Sequence, residues 1–359
     1  MAANFWTSTQ RAHWQLTREK IADMRKTLDE EDTRQGLGMT YPLPDHKQLQ
    51  LYFHHCLQRL ARRLQLRQQP LATAETYLKR FYLKVSTRET NPYLMLSTCV
   101  YLACKMEECP VHIRSVVNEA RALFQGMIDI SHVPAAPHLR LPLSRGWLEK
   151  TRVRTDLCAV VLEFIPQDTA KLAECEFHLI SELNSYLIVH HPYRTLMEVQ
   201  VPLKLTTDEI MAVWSFLNDS YITDLILLYP PHTIALTAIF LAVFVRPAIH
   251  TQANLNASAS TSMAAMGAAP GSSIASLPSS ATQNVANAIS AAAPAANAQN
   301  LSSARLSQMS DWFAESGVDM DAIIECTQEM ISLYDTWETW TDKVCREGVA
   351  RLIRGRQLL

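Results

Sequence analysis

Asn91-Pro-Tyr-Leu-Met-Leu-Ser-Thr-Cys-Val-Tyr-Leu-Ala-Cys-Lys-Met-Glu-Glu-Cys-Pro110 is the stretch whose reading decides the fold. Asn91 followed by Pro92 is a helix start: an amide cap, then a residue whose missing N–H costs nothing in the first turn. From Tyr93 to Cys104 the side chains are apolar nearly all round. A helix without a polar face is buried on every side, so this one is predicted at the centre of a helical bundle. Pro110 ends it. Its charges, Lys105, Glu107 and Glu108, collect at the C-terminal end.

Working outward, the flanking segments supply helices to surround it. Asp45-x-x-Gln48 is a capping signal. It opens a helix with Leu49, Tyr52, Phe53, Cys56, Leu57, Leu60 and Leu64 at helical spacing. Pro70 starts another through about Val85, carrying Leu71, Ala74, Tyr77, Leu78 and Phe81. A helix over 113–124 follows the central one. Residues 125–150, with Pro134, Pro137 and Pro142, read as a surface insertion. A fifth helix spans about 169–187, with Leu172, Cys175, Leu179, Ile180, Leu183 and Tyr186 on one face.

A similar succession repeats. Thr206-x-x-Glu209 caps a helix with Ile210, Val213, Trp214 and Leu217. Residues 224–228 form a short helix, Pro230-Pro231 leads into an apolar helix over 234–245, and 311–316 and 320–344 supply two more. The expected fold is all-α: two tandem five-helix bundles, over 45–188 and 189–345, preceded by an N-terminal helix and linker over 1–44. Residues 251–309, dominated by Ala, Ser and Asn, bury too little apolar surface to offset ordering entropy and read as a disordered insertion. Residues 346–359 read as a basic tail.

Composition narrows the function. Nine glycines in 359 residues favour long helices over turn-rich sheets. A net charge of −2 gives no field that points to nucleic acid or membrane. The eight cysteines sit mostly in apolar helical patterns, and no CxxC or HxxxH spacing points to a metal. The N-terminus lacks the basic-then-apolar pattern of a signal peptide. The longest apolar run, Ile234 to Val245, is too short to span a bilayer. No phosphate loop, dinucleotide loop, nucleophile elbow or kinase signature occurs, so no catalytic residue and no cofactor is expected. Arg59, Arg62, Arg63 and Arg67 lack interleaved stacking residues and read as a solvated face, so no direct nucleic-acid contact is expected. His54-His55 and His190-His191 read as hydrogen-bonded or solvated.

Several segments together resemble the cyclins, and most closely those of the C type. Leu66-Arg-Gln-Gln-Pro70, Ala72-Thr-Ala-Glu-Thr-Tyr-Leu-Lys-Arg-Phe-Tyr82 and Leu102-Ala-Cys-Lys-Met-Glu-Glu108 are similar to a cyclin box. Asn4-Phe-Trp6, His191-Pro-Tyr-Arg194, Asn218-Asp-Ser-Tyr221, Thr223-Asp-Leu225, Leu227-Leu-Tyr-Pro-Pro231, Trp312-Phe-Ala-Glu315 and Val318-Asp-Met320 fit the C type. The resemblance implies a regulatory subunit that holds the αC helix of a cyclin-dependent kinase inward, so that the kinase Lys–Glu ion pair forms. The implied partners are the cyclin-dependent kinase of the Mediator kinase module and other Mediator subunits, in the nucleus.

The resemblance also implies roles for particular residues. Lys105 is the lysine that donates to kinase backbone carbonyls, and Glu176 the acidic residue that holds it. From spacing alone the two are an ordinary ion pair at two helix ends, worth under about 1 kcal/mol. Glu107 and Glu108 follow directly, and Glu108 is placed to meet kinase arginines in lieu of an activation-segment phosphate. Tyr77, Phe81 and Tyr82 are candidate apolar contacts. Phe5, Trp6 and Trp14 are candidates for a partner-specificity helix. One departure matters: Leu49-Gln-Leu-Tyr-Phe53…Cys56 stands where cell-cycle cyclins carry an arginine and a tryptophan of a substrate-docking groove. Their loss favours a transcriptional cyclin. The rival readings are a transcriptional cyclin of the K, T or H type and a two-repeat assembly factor of the TFIIB type. The second of these carries a zinc ribbon and basic repeats, and neither pattern is found in this sequence.

Overall fold

The computed structural model describes residues 4–128, 168–245 and 299–356. The insertion expected over 125–150 and most of that over 251–309 lie outside them. At their described edges, helix runs on to Ile128 and starts again at Gln299. All regular structure among the described residues is helical. No helix among them is long and apolar enough to cross a membrane.

The helices are α1 (Arg18–Arg34), α2 (Leu37–Thr40), α3 (His46–Arg63), α4 (Gln68–Tyr82), α5 (Pro92–Met106), α6 (Ile113–Ile128) and α7 (Asp168–Glu182). They continue with α8 (Pro192–Val199), α9 (Thr207–Ser220), α10 (Leu225–Leu228), α11 (Pro231–Phe240), α12 (Gln299–Glu315), α13 (Met320–Thr339) and α14 (Asp342–Arg356). The chain forms two compact units. The first is Met1–His191 with Asn218–Pro230 and Gln328–Leu359; the second is Pro192–Leu217 with Pro231–Thr327.

In the first unit α5 is the axis. Asn91 Oδ1 accepts from the N–H groups of Tyr93 and Leu94, at 3.0 and 3.4 Å, which starts the helix as its sequence predicts. Every residue from Pro92 to Cys104 except Tyr101 is buried. Helices α3, α4, α6 and α7 pack around it. Tyr93 stacks on Phe124 at 4.6 Å, and its hydroxyl meets that of Tyr52 at 2.6 Å. No disulfide forms among the described cysteines.

The N-terminal helix expected within 1–44 is not one continuous helix. It is a 3-10 turn at Phe5–Thr7, a π turn at Gln10–Trp14 and then α1. Thr17 is extended and caps α1 through the N–H of Lys20, which forces the break. Only Ile21 and Asp32 of α1 are buried, so charge must pin what apolar burial cannot. Arg25 donates both terminal nitrogens to Asp224, at 2.7 and 2.8 Å. Gln50 donates to the same carboxylate at 2.8 Å, and Lys79 donates to Ile222 O at 2.8 Å. Burial pushes the Asp224 carboxyl up, but Arg25 and Lys79 outweigh it and hold the group well below the usual range.

The segment read as a basic tail is helical as far as Arg356. The helix expected over 320–344 stops at Thr339, and α14 starts at Asp342. Cys345, Val349 and Ile353 of α14 join the core around α5, and α14 packs on α3 and α6. Arg356 donates to Arg88 O at 2.5 Å. A Cβ at Gly355 would lie 2.1 Å from the Tyr41 ring, which explains a glycine inside a helix.

The second unit carries its own buried apolar helix. Residues 233–239 of α11 are all buried, and α8 packs beside them. Tyr193 stacks on Trp214 at 4.8 Å. Phe313 of α12 meets Phe240 and Phe244 edge-on. The predicted capping box forms: the N–H of Thr206 donates to Glu209 Oε2 at 2.8 Å, and the N–H of Glu209 to Thr206 Oγ1 at 3.4 Å. Arg305 donates to the same Glu209 carboxylate.

Few glycines leave the helix ends to other residues. Gln65, Glu108, Asn184 and Lys204 take left-handed φ of 54°, 54°, 53° and 51°. Each precedes a residue whose N–H reaches back five positions: Leu66 to Ala61 O, Cys109 to Cys104 O, Ser185 to Ile180 O and Leu205 to Gln200 O.

Two outcomes follow for stability. Gly355→Ala, which in an open helix would stabilise, is expected to cost about 1–3 kcal/mol in urea unfolding, because the new methyl meets Tyr41. Asp224→Asn is expected to cost about 2 kcal/mol at neutral pH. A depressed folded-state carboxyl contributes stability above its unfolded pKa of about 3.9, and that contribution is lost as pH falls through the lower folded value. The acid limb of a stability–pH curve should therefore be shallower in the variant.

Candidate partner-contact site

Because α5 is enclosed along its length, its functional groups appear only where it emerges. Lys105 is the first charged residue of the helix, and its side chain is 45% exposed. Its Nζ lies 2.8 and 2.9 Å from the two oxygens of Glu176 on α7, whose side chain is 10% exposed. The ammonium also sits over the Tyr101 ring at 4.4 Å. Burial pulls the Lys105 pKa down, but Glu176 and Tyr101 outweigh it and raise the value above the ordinary lysine range. Lys105 is thus a fixed cation, held from one side by a sunken carboxylate and open on the other. An ammonium with three donors held this way can cap carbonyl oxygens of a second protein.

Exposed apolar groups flank the pair. Met106 is 39% and Phe177 72% exposed. Phe177 escaped sequence reasoning. Its signal was available: it is an aromatic off the apolar stripe of α7, between Glu176 and His178, where solvent would favour a polar residue.

Glu107 and Glu108 part ways at the helix end. Glu108 is exposed and left-handed, a conformation that costs a non-glycine residue about 1–2 kcal/mol. The Cys109 N–H to Cys104 O bond, 2.9 Å, fixes it. Glu107 turns inward. Its oxygens accept from Gln69 Nε2 and Thr73 Oγ1, each at 2.6 Å, and His191 Nε2 lies 3.5 Å away. Burial pushes the Glu107 carboxyl up, but His191, Thr73 and Gln69 outweigh it and hold the group below the usual range. The reading of Glu107 as a surface contact is therefore corrected.

The aromatic candidates divide likewise. Tyr77 and Phe81 are fully buried and cannot present a surface. Tyr77 OH donates to Leu187 O at 2.5 Å, and Phe81 meets His178 edge-on. Tyr82 is half-buried, stacked on Phe53 at 5.9 Å with its hydroxyl 3.2 Å from Thr90 Oγ1. Trp14 is also a core residue, 3% exposed, with Arg80 and Lys84 over its ring at 5.0 and 5.3 Å. Phe5 packs edge-on against His190, and only Trp6, 53% exposed under Arg11, is offered outward. The residues standing where a docking groove would lie, Leu49, Leu51, Tyr52, Phe53 and Cys56, are all buried, so they form no open apolar strip.

His54 Nδ1 lies 2.9 Å from Glu75 in a buried pair. The N–H of His190 donates to Gln10 Oε1 at 2.6 Å. Among the described residues no group of acidic, His and Cys side chains forms a metal-binding cluster.

Sequence comparison identifies the class to which this helical fold belongs. The family described as "Cyclin, N-terminal domain" matches residues 24–129. The RNA polymerase II holoenzyme cyclin-like subunit of Emericella nidulans is 43% identical over 358 residues, covering 100% of this chain and 99% of its own. That of Neurospora crassa is 39% identical over 380 residues, with 100% and 99% covered. A chain in the CAK complex from Chaetomium thermophilum bound to ATP-gamma-S shares the fold, with a TM-score of 0.51 at 18% identity over 98% of this chain and 86% of that one. The chain belongs to the cyclins, among the RNA polymerase II holoenzyme cyclin-like subunits.

The strain at Glu108 is open to direct measurement. Glu108→Gly is expected to raise unfolding stability by about 1 kcal/mol, since glycine adopts the left-handed conformation without the steric cost. An unchanged or lowered stability would show that the turn carries no such strain.

Proposed function

We propose that this cyclin is the non-catalytic, activating subunit of the cyclin-dependent kinase of the Mediator kinase module, and that Lys105, Glu176 and Glu108 form its kinase contact. The observation that carries this reading is the Lys105–Glu176 pair: a half-exposed cation, oriented by a buried carboxylate, where the enclosed helix leaves the core. Lys105 donates to backbone carbonyls of the kinase, and Phe177 and Met106 supply the apolar surround. Contact holds the kinase αC helix inward, and the Lys–Glu ion pair that positions ATP phosphates then forms. The cyclin acts by binding the active arrangement more tightly than the inactive one, so it needs no catalytic group of its own.

Glu108, exposed beside this contact, meets kinase arginines as a carboxylate stand-in for a phosphate. The full-length relatives are named as holoenzyme subunits, which supports a place beside RNA polymerase II, phosphorylation of its C-terminal repeats, a nuclear location and further Mediator partners. Trp6 is the outward aromatic for partner choice. We read the chain as two cyclin boxes, over 45–188 and 189–345, of which the first makes the kinase contact.

The test is binding and activity with the purified cognate kinase. Lys105→Ala is expected to weaken binding roughly tenfold or more, about 1.4 kcal/mol. Glu108→Arg is expected to lower repeat-peptide phosphorylation at saturating cyclin. Wild-type binding and activity in both variants would overturn the proposal.

A further inference from the structure

The inward turn of Glu107 starts a chain of hydrogen bonds through Thr73 and His191 to Tyr221. The Thr73 hydroxyl has one proton, and it is donated to Glu107 Oε1 at 2.6 Å. Thr73 Oγ1 is then an acceptor toward His191 Nε2, 2.7 Å away, so Nε2 carries the imidazole proton. On the other side of the ring, His191 Nδ1 lies 2.6 Å from the Tyr221 hydroxyl. The chain thus joins Tyr221 to His191 Nδ1 and runs from His191 Nε2–H to Thr73 Oγ1 and from Thr73 O–H to the Glu107 carboxylate. The two links through Thr73 point the same way and end on a charge, the arrangement in which successive bonds strengthen one another.

All four residues lie in the first unit, and Thr73 is 0% exposed. Glu107 stands between Met106 and the left-handed Glu108, so whatever holds its carboxylate also sets the turn that follows Lys105.

We propose that Glu107, Thr73 and His191 are positioning residues for the kinase contact: the chain from Tyr221 holds the Glu107–Cys109 turn in its binding orientation without touching the partner. The proposal rests on the kinase-contact reading above and adds a mechanism of alignment to it.

Thr73 is the diagnostic position, because it is buried and only one hydroxyl is in question. Thr73→Val is expected to weaken kinase binding by about fivefold to tenfold, and Thr73→Ser to restore it to within about twofold. In hydrogen exchange on the full chain, the amides of Glu108 and Cys109 should exchange about tenfold faster in Thr73→Val, while amides in the middle of α4 and α5 keep wild-type rates. Wild-type binding by Thr73→Val, or faster exchange spread evenly through α4 and α5, would overturn the proposal. Lys105→Ala separates the two readings. If it loses binding while Thr73→Val does not, the alignment chain fails and the contact stands. If Lys105→Ala binds as wild type, the contact itself fails.

Discussion

Enclosure of α5 is the constraint on which the rest depends. A helix surrounded by α3, α4, α6 and α7 has little lateral face to offer, so its charged groups come where it emerges. That fixes where charge is tolerated: none from Pro92 to Cys104, then Lys105, Glu107 and Glu108 in quick succession. It also fixes who can assist. The neighbours whose side chains reach the emerging end supply Glu176 from α7 and Gln69 and Thr73 from α4. Lys105 is held by an acid sunk beside it, and Glu107 is drawn inward so that Glu108 alone points out. Two adjacent glutamates thus take opposite parts because one of them lies within reach of the packed helices.

Charge inside the first unit has a different task. Helix α1 has too little apolar surface to dock by burial, and its bidentate contact from Arg25 to Asp224 joins it to residues nearly two hundred positions away. Lys79 and Gln50 complete that cluster. Arg80 is fully buried, lies over Trp14 and donates to Tyr186 O at 3.2 Å. Burial pulls its pKa down to about 9, still a cation at neutral pH. Both that guanidinium and the Lys84 ammonium lie over the Trp14 ring, which is 3% exposed, so this aromatic is committed to the core and not to a partner. Breaking any one of these groups leaves a buried charge behind, so they define one arrangement of the N-terminal segment rather than merely adding stability.

Much of this was legible in the sequence because it is local. The apolar circumference of α5, the Asn91 cap and the Thr206–Glu209 capping box are each written within a few residues, and each forms as read. The Lys105–Glu176 pair spans 71 positions and became legible only through family resemblance. What stayed hidden depends on tertiary placement. Periodicity marks Tyr77 and Phe81 as apolar but does not say which neighbours will cover them. The exposure of Phe177 is visible only as a mismatch with its helix stripe. The arginines near the C-terminus read as a tail because their composition is basic, while the apolar residues between them, Val349, Leu352 and Ile353, are what seat α14. The outlying helix ends deceived less than the N-terminal segment, where one threonine cap divides what looked continuous.

The seating of α14 has a consequence for how the chain is made. Its buried residues complete a core otherwise assembled from the first half of the sequence. Ribosomes release protein from the N-terminus onward, so α3 and α6 emerge with the strip for α14 bare, and it stays bare until Asp342–Arg356 has been synthesised. The first unit therefore cannot finish folding as an independent early domain on the ribosome. Its core is complete only once α14 has emerged, and until then an apolar face is exposed to chaperones.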